Sequence, residues 1–93
     1  MTTLEKAIEV YGKDMQLNVA IEELSELIKE ICKNKRGNDN RDNIIEEMAD
    51  CYIMLTQVRF IFDIKRSELD AMLNNKIGRL RCRLAEGSEN GNG

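Results

Sequence analysis

The chain has 93 residues, a mass of 10.7 kDa and a formal charge of −3; a domain of this size buries only roughly 65% of its unfolded surface, so its own core is thin. A pI near 5.0 argues against nucleic acid as a general partner, and no apolar run approaches the roughly 18 residues of a membrane span. Histidine is absent, which removes Ser-His and Cys-His catalysis, Cys/His zinc sites and the Glu-x-x-His ligands of di-iron bundles.

Proline is absent too, so long uninterrupted helices are the expectation. Thr2 followed by Glu5 is a capping-box signature for a short helix over 3–10. Tyr11-Gly12 breaks it, and a long helix over 13–33 follows, with Leu17, Ile21, Leu24, Ile28 and Ile31 in steps of four and three. The run NKRGNDN (34–40) reads as a polar loop. A second long helix is expected over 43–62, with Asn40 or Asp42 as N-cap and Ile44, Met48, Cys51, Leu55, Val58 and Phe62 as its buried stripe. Ser67 and Asp70 resemble a capping pair for a last helix reaching Ala85, with Leu69, Leu73, Ile77, Leu80 and Leu84 on its apolar face. The tail EGSENGNG has nothing to bury and reads as disordered. The expected fold is all-α: one antiparallel helical bundle over 1–85 with a tail over 86–93. Cys51 and the methionines 15, 48, 54 and 72 read as core fillers. Three widely spaced cysteines form no disulfide framework and point to a reducing, cytoplasmic setting.

Two acid pairs, Glu23 with Glu26 and Glu47 with Asp50, carry the chemistry. With Cys51 as the centre of its helix face, Glu47 lies about 40° away, inside the apolar stripe, and Asp50 about 100° out on the same flank. Glu47 has no basic residue three or four positions away, so a charge there needs an external partner. On the preceding helix, with Leu24 as centre, Glu23 lies about 100° out and Glu26 about 160°, on one side with Gln16 and Glu30. A short connection favours antiparallel packing, which brings the two acid flanks together. Four carboxylates in one half-buried place would raise one another's pKa values and destabilise the fold, and a divalent cation removes that conflict. Oxygen-only ligands select Mg²⁺ or Mn²⁺ rather than zinc. Taken singly, Glu22, Glu30 and Glu46 read as solvated surface. On the last helix Lys76, Arg79 and Arg83 share a stripe, of which Lys76 and Arg79 are candidate phosphate contacts, whereas Arg81 reads as plain surface.

The runs GKDMQLNVAIEELSELIKEI and DNIIEEMADCYIML resemble the MazG-like, all-α nucleoside triphosphate pyrophosphohydrolases. Their signature is E-x-x-E, a variable spacer, then E-x-x-D; here Glu23 to Glu26 is followed by twenty residues and then Glu47 to Asp50. The resemblance implies Mg²⁺-dependent hydrolysis of a (deoxy)nucleoside triphosphate to its monophosphate and pyrophosphate, with Glu23, Glu26, Glu47 and Asp50 as metal ligands and catalytic acids. Lys76 and Arg79 fall where many relatives carry basic residues, and Gln16 is a candidate contact to base or sugar. With no tryptophan, a base sandwich of the kind found in longer relatives is not available.

Three amphipathic helices with broad apolar faces exceed what one small bundle covers, so a homodimer or a dimer of dimers is expected, with the site near the subunit interface. The alternatives are a non-catalytic helical dimerisation or adaptor domain with solvated acids, and a module that binds nucleotide without turnover.

Overall fold

A computed structural model describes residues 1–87. It is all-α, with four helices and no strand among the described residues: α1 (Thr3–Tyr11), α2 (Lys13–Lys35), α3 (Arg41–Ile61) and α4 (Arg66–Ala85). Two compact units divide the chain: Met1–Asp63 holds α1 to α3, and the part beginning at Ile64 holds α4. None of the helices is long and apolar enough to cross a membrane.

Local chemistry sets the helix ends. Thr2 Oγ1 accepts from the Glu5 amide at 3.2 Å and Glu5 Oε1 accepts from the Thr2 amide at 2.8 Å, the reciprocal box that the sequence anticipates. Gly12 separates α1 from α2 at φ 91°, a backbone region that favours glycine. α2 runs two residues past its expected end, and Asn38 then ties the turn back by donating Nδ2 to the Lys33 carbonyl at 3.0 Å. α4 does not open on a Ser67–Asp70 pair. It begins at Arg66, with Glu68 accepting the Lys65 amide at 2.9 Å, while Asp70 accepts from Arg66 Nε at 3.0 Å. Of the expected tail, Glu86 and Gly87 turn under the last carbonyls, with amides 3.0 Å from Cys82 O and 3.1 Å from Leu84 O; 88–93 lie outside the described residues.

In the first unit α2 and α3 form an antiparallel hairpin against which α1 packs. Side chains that the sequence places on the core face of α2 are not between the helices. Leu24 and Ile31 are exposed, and Ile21 and Ile28 are more than 60% exposed. The line that meets α3 is Gln16, Ala20, Glu23, Leu27 and Glu30, buried or half-buried throughout. α3 is likewise turned: Ile44, Glu47, Cys51, Met54, Gln57 and Val58 face inward, while Met48, Leu55 and Phe62 are exposed. Two features account for the rotation. Small Ala20 and Cys51 let the helices approach, and the polar side chains along this line find partners only across it (Gln16 on Gln57, Cys51 on the Glu23 carbonyl, Asn40 on Glu30). The wide apolar arcs then remain outside. Of the methionines expected in the core, Met54 is buried, but Met15, Met48 and Met72 are exposed.

Candidate metal centre

The antiparallel hairpin stacks its polar residues in layers along the seam between α2 and α3. At one end Gln16 faces Gln57, in the middle Glu23 faces Asp50 and Glu26 lies near Glu47, and at the other end Glu30 meets Asn40 and Asn43. The register follows from helix geometry: steps of seven along α2 are matched by steps of seven back along α3, each about 10 Å of axial rise.

The middle layer gathers charge. One carboxylate oxygen from each of Glu23, Glu47 and Asp50 lies within 4.8 Å of the other two. Burial pushes the Glu23 carboxyl above its ordinary range, and a hydrogen bond with Asp50 adds to this, followed by the charges of Asp50, Glu47 and Glu26. Glu47 is raised chiefly by burial and then by Asp50, Glu26, Glu46 and Glu30. Its Oε2 is buried with no hydrogen-bond partner among the described residues. Buried polar atoms are nearly always satisfied, and a carboxylate oxygen facing two other acids lacks the donor it requires. Cys51, beside this layer, donates Sγ to the Glu23 carbonyl at 3.4 Å. Its thiol is held protonated by burial and by the same three acids, so it fills space rather than supplying a thiolate.

The donor set fits a hard divalent cation. Oxygen ligands about 2.1 Å from an octahedral ion stand about 3.0 Å apart when adjacent and about 4.2 Å apart when opposite, so the three carboxylates would have to draw closer to share one ion. Glu26 stands at the edge of this layer, half-buried, with Lys29 Nζ 3.6 Å from its Oε2. It is near enough to raise Glu23 and Glu47 but outside the tight trio. No family model, curated protein or solved structure matches the chain.

Glu30 departs from the solvated surface expected of it. It is buried, with Oε1 accepting from Asn40 Nδ2 at 2.8 Å and Oε2 from Lys33 Nζ at 3.2 Å, and these bonds hold its carboxyl below the ordinary range. Asn40 precedes α3 as the sequence suggests, yet its amide caps nothing there. It donates to both the main-chain and the side-chain oxygen of Glu30, and Asn34 in turn donates to its Oδ1 at 3.2 Å. Gln57 is a further residue that sequence reasoning misses: it is only 2% exposed, bonded to Gln16 and to the Leu4 carbonyl. In the sequence it stands between Thr56 and Val58, and nothing there marks it as buried. Lys76 and Arg79 stand three residues apart on α4, exposed, with Arg83 four residues on.

Proposed function

We propose that this chain is a Mg²⁺-dependent nucleoside triphosphate pyrophosphohydrolase of the MazG-like type. The buried Glu47 oxygen without a donor, facing Glu23 and Asp50, carries this reading. A helical adaptor has no use for three carboxylates turned toward one another inside its hairpin, because each raises the cost of ionising the next. Glu23, Glu47 and Asp50, with Glu26 alongside, are the residues that would hold the cation. The ion's contribution when bound is to neutralise phosphate charge and acidify a water. The seam carboxylates would orient a water among them toward the α-phosphorus. The new O–P bond forms as the bond to the bridging oxygen breaks, pyrophosphate leaves, and the water's proton passes to a seam carboxylate.

The same reading includes a second copy of the chain. Ile21, Leu24, Ile28 and Ile31 of α2 are exposed, as are Met48, Tyr52 and Leu55 of α3. Aliphatic arcs of this kind on a small domain are faces that association covers. Because the acids point into the hairpin, covering these outer arcs leaves the seam intact. A homodimer or a dimer of dimers therefore completes the fold without remaking the site.

The experiment is pyrophosphate release from a panel of ribo- and deoxyribonucleoside triphosphates with Mg²⁺, comparing wild type with Glu47→Gln. The expected result is release by wild type from at least one triphosphate, lost on substitution. No release from any of them, with Glu47→Gln at least as stable as wild type, identifies the chain as a non-catalytic helical module.

A further inference from the structure

The two ends of the seam differ in what they leave available. At the end near the α2–α3 turn, Asn40 spends both amide hydrogens on Glu30, its Oδ1 accepts from Asn34, and both Glu30 oxygens are taken by Asn40 and Lys33. That end is filled and charged. At the opposite end the chain presents two neutral amides. The Leu4 carbonyl can only accept, so Gln57 must turn Nε2 toward it, at 3.2 Å. Its Oε1 then faces Gln16, which must answer with Nε2, and the observed bond runs that way. Flipping either amide would set two oxygens or two N–H groups against each other. One backbone carbonyl of α1 thus fixes both amide orientations. Gln57 is consumed by the arrangement. Among the described residues no other side-chain bond of Gln16 is shown, and its Oε1 and second N–H would make a donor–acceptor edge of the kind that pairs with the polar edge of a nucleobase.

We infer that Gln57 is a positioning residue which, anchored on the Leu4 carbonyl, holds the Gln16 amide to read the nucleobase, so that the substrate lies along the seam with its base toward the Gln16–Gln57 end. This rests on the nucleotide reading of the acid layer. Gln16 stands seven residues from Glu23 on the same face, about 10 Å along the helix, which is of the order of the distance from a nucleotide's phosphates to its base. The acid layer and the amide layer are separated by Ala20 and Met54, both buried, giving an apolar step between a charged site and a neutral hydrogen-bonding one.

The test measures kcat/KM for each triphosphate of the base panel, and for inorganic tripolyphosphate, which has no base. Wild type, Gln16→Met, Gln57→Met and the double variant are compared. The expected result is a spread between best and worst base of at least about tenfold in wild type, one good hydrogen bond's worth. That spread should collapse in Gln57→Met while tripolyphosphate hydrolysis keeps its wild-type rate. Because Gln57 acts through Gln16, its substitution should change base preference no further in the Gln16→Met background. A merely structural Gln57 lowers every substrate, tripolyphosphate included, by one factor in both backgrounds, and that result overturns the inference while leaving the proposed activity standing. A wild type that turns over all bases within threefold overturns it in the same way. Absence of turnover on every substrate removes both readings together. If Gln57→Met does not fold, Gln16→Asn, which withdraws the amide by one methylene and leaves Gln57 on Leu4, must show the same collapse.

Discussion

The inward and outward lines of α2 have the same periodicity and opposite chemistry. Gln16, Ala20, Glu23, Leu27 and Glu30 repeat in steps of four and three, and so do Leu17, Ile21, Leu24, Ile28 and Ile31, one residue later in the chain. The first line faces α3; the second, beyond half-buried Leu17, faces outward. In an ordinary two-helix hairpin the apolar line would take the seam, because that removes most hydrocarbon from water. Here the seam holds directional partners that the chain itself supplies at both ends, and between them an acid layer that it does not satisfy. The contrast separates two kinds of unmet demand: the outer line lacks a cover and the inner layer lacks positive charge, which the proposed second copy and cation would supply.

The largest effect expected is on the inner line. Glu47→Gln should reduce metal-dependent pyrophosphate release by more than about a hundredfold, beyond the 10–100-fold that loss of an outer-shell partner costs a metal site. The same substitution should raise the melting temperature of the metal-free protein, since it removes a charge that nothing there balances. Falling activity together with falling metal-free stability would mean that Glu47 serves packing alone.

The outer line is sharpened by charge. Ile28→Asp places a carboxylate on an arc with Ile21, Leu24 and Ile31, and should shift the oligomer toward monomer in multi-angle light scattering at micromolar concentration. Wild type at a single species of 10.7 kDa would remove the second copy from the account. At the closed end of the seam, Asn40→Ala should lower stability by about 1 kcal/mol for the bond to the Glu30 main-chain oxygen alone. That is roughly 4–8 °C in melting temperature for a domain of this size, and its effect on base preference should be nil.

The smallest expected effect is on pH dependence. Glu23 and Glu47 have carboxyls raised in the folded protein, so the native state holds protons that the unfolded chain releases. The stability they contribute is complete below the ordinary glutamate value of about 4.3 and is lost as pH rises through their folded values. Glu30 is lowered and works the other way, its contribution fading as pH falls through its folded value. Thermal melts across this range should show metal-free stability declining above the ordinary glutamate value. Added Mg²⁺ should restore it increasingly as pH rises, because the cation and the protons compete for the same oxygens.

Much of this was legible in the residues. The four helices follow from apolar periodicity, the Thr2–Glu5 box and the absence of proline, with ends within about two residues. Glu47 was legible because a carboxylate inside an apolar stripe is a local contradiction, and its inward placement in the seam agrees. The rotation of the helices was not. Two lines of equal period lie one residue apart on α2, and hydrophobicity selects the one that suits an outer surface. Gln57 was missed, and Asn40 was read only as an N-cap, for a related reason. A neutral amide carries no signature of burial in the sequence, and its worth depends on partners 41 and 10 residues away. Glu30, read singly as solvated, became a buried tie because Asn40 returns to it across the turn.

The most direct test of the central claim is a Mn²⁺ titration followed by electron paramagnetic resonance, on wild type and Glu47→Gln. Mn²⁺ takes the same oxygen ligands as Mg²⁺ and loses its free-ion signal when bound. The account predicts saturable quenching by wild type, competed by Mg²⁺ and lost in Glu47→Gln. Equal quenching by both proteins, or none by wild type, would contradict it and leave the acid layer as an unbalanced charge in a purely structural hairpin.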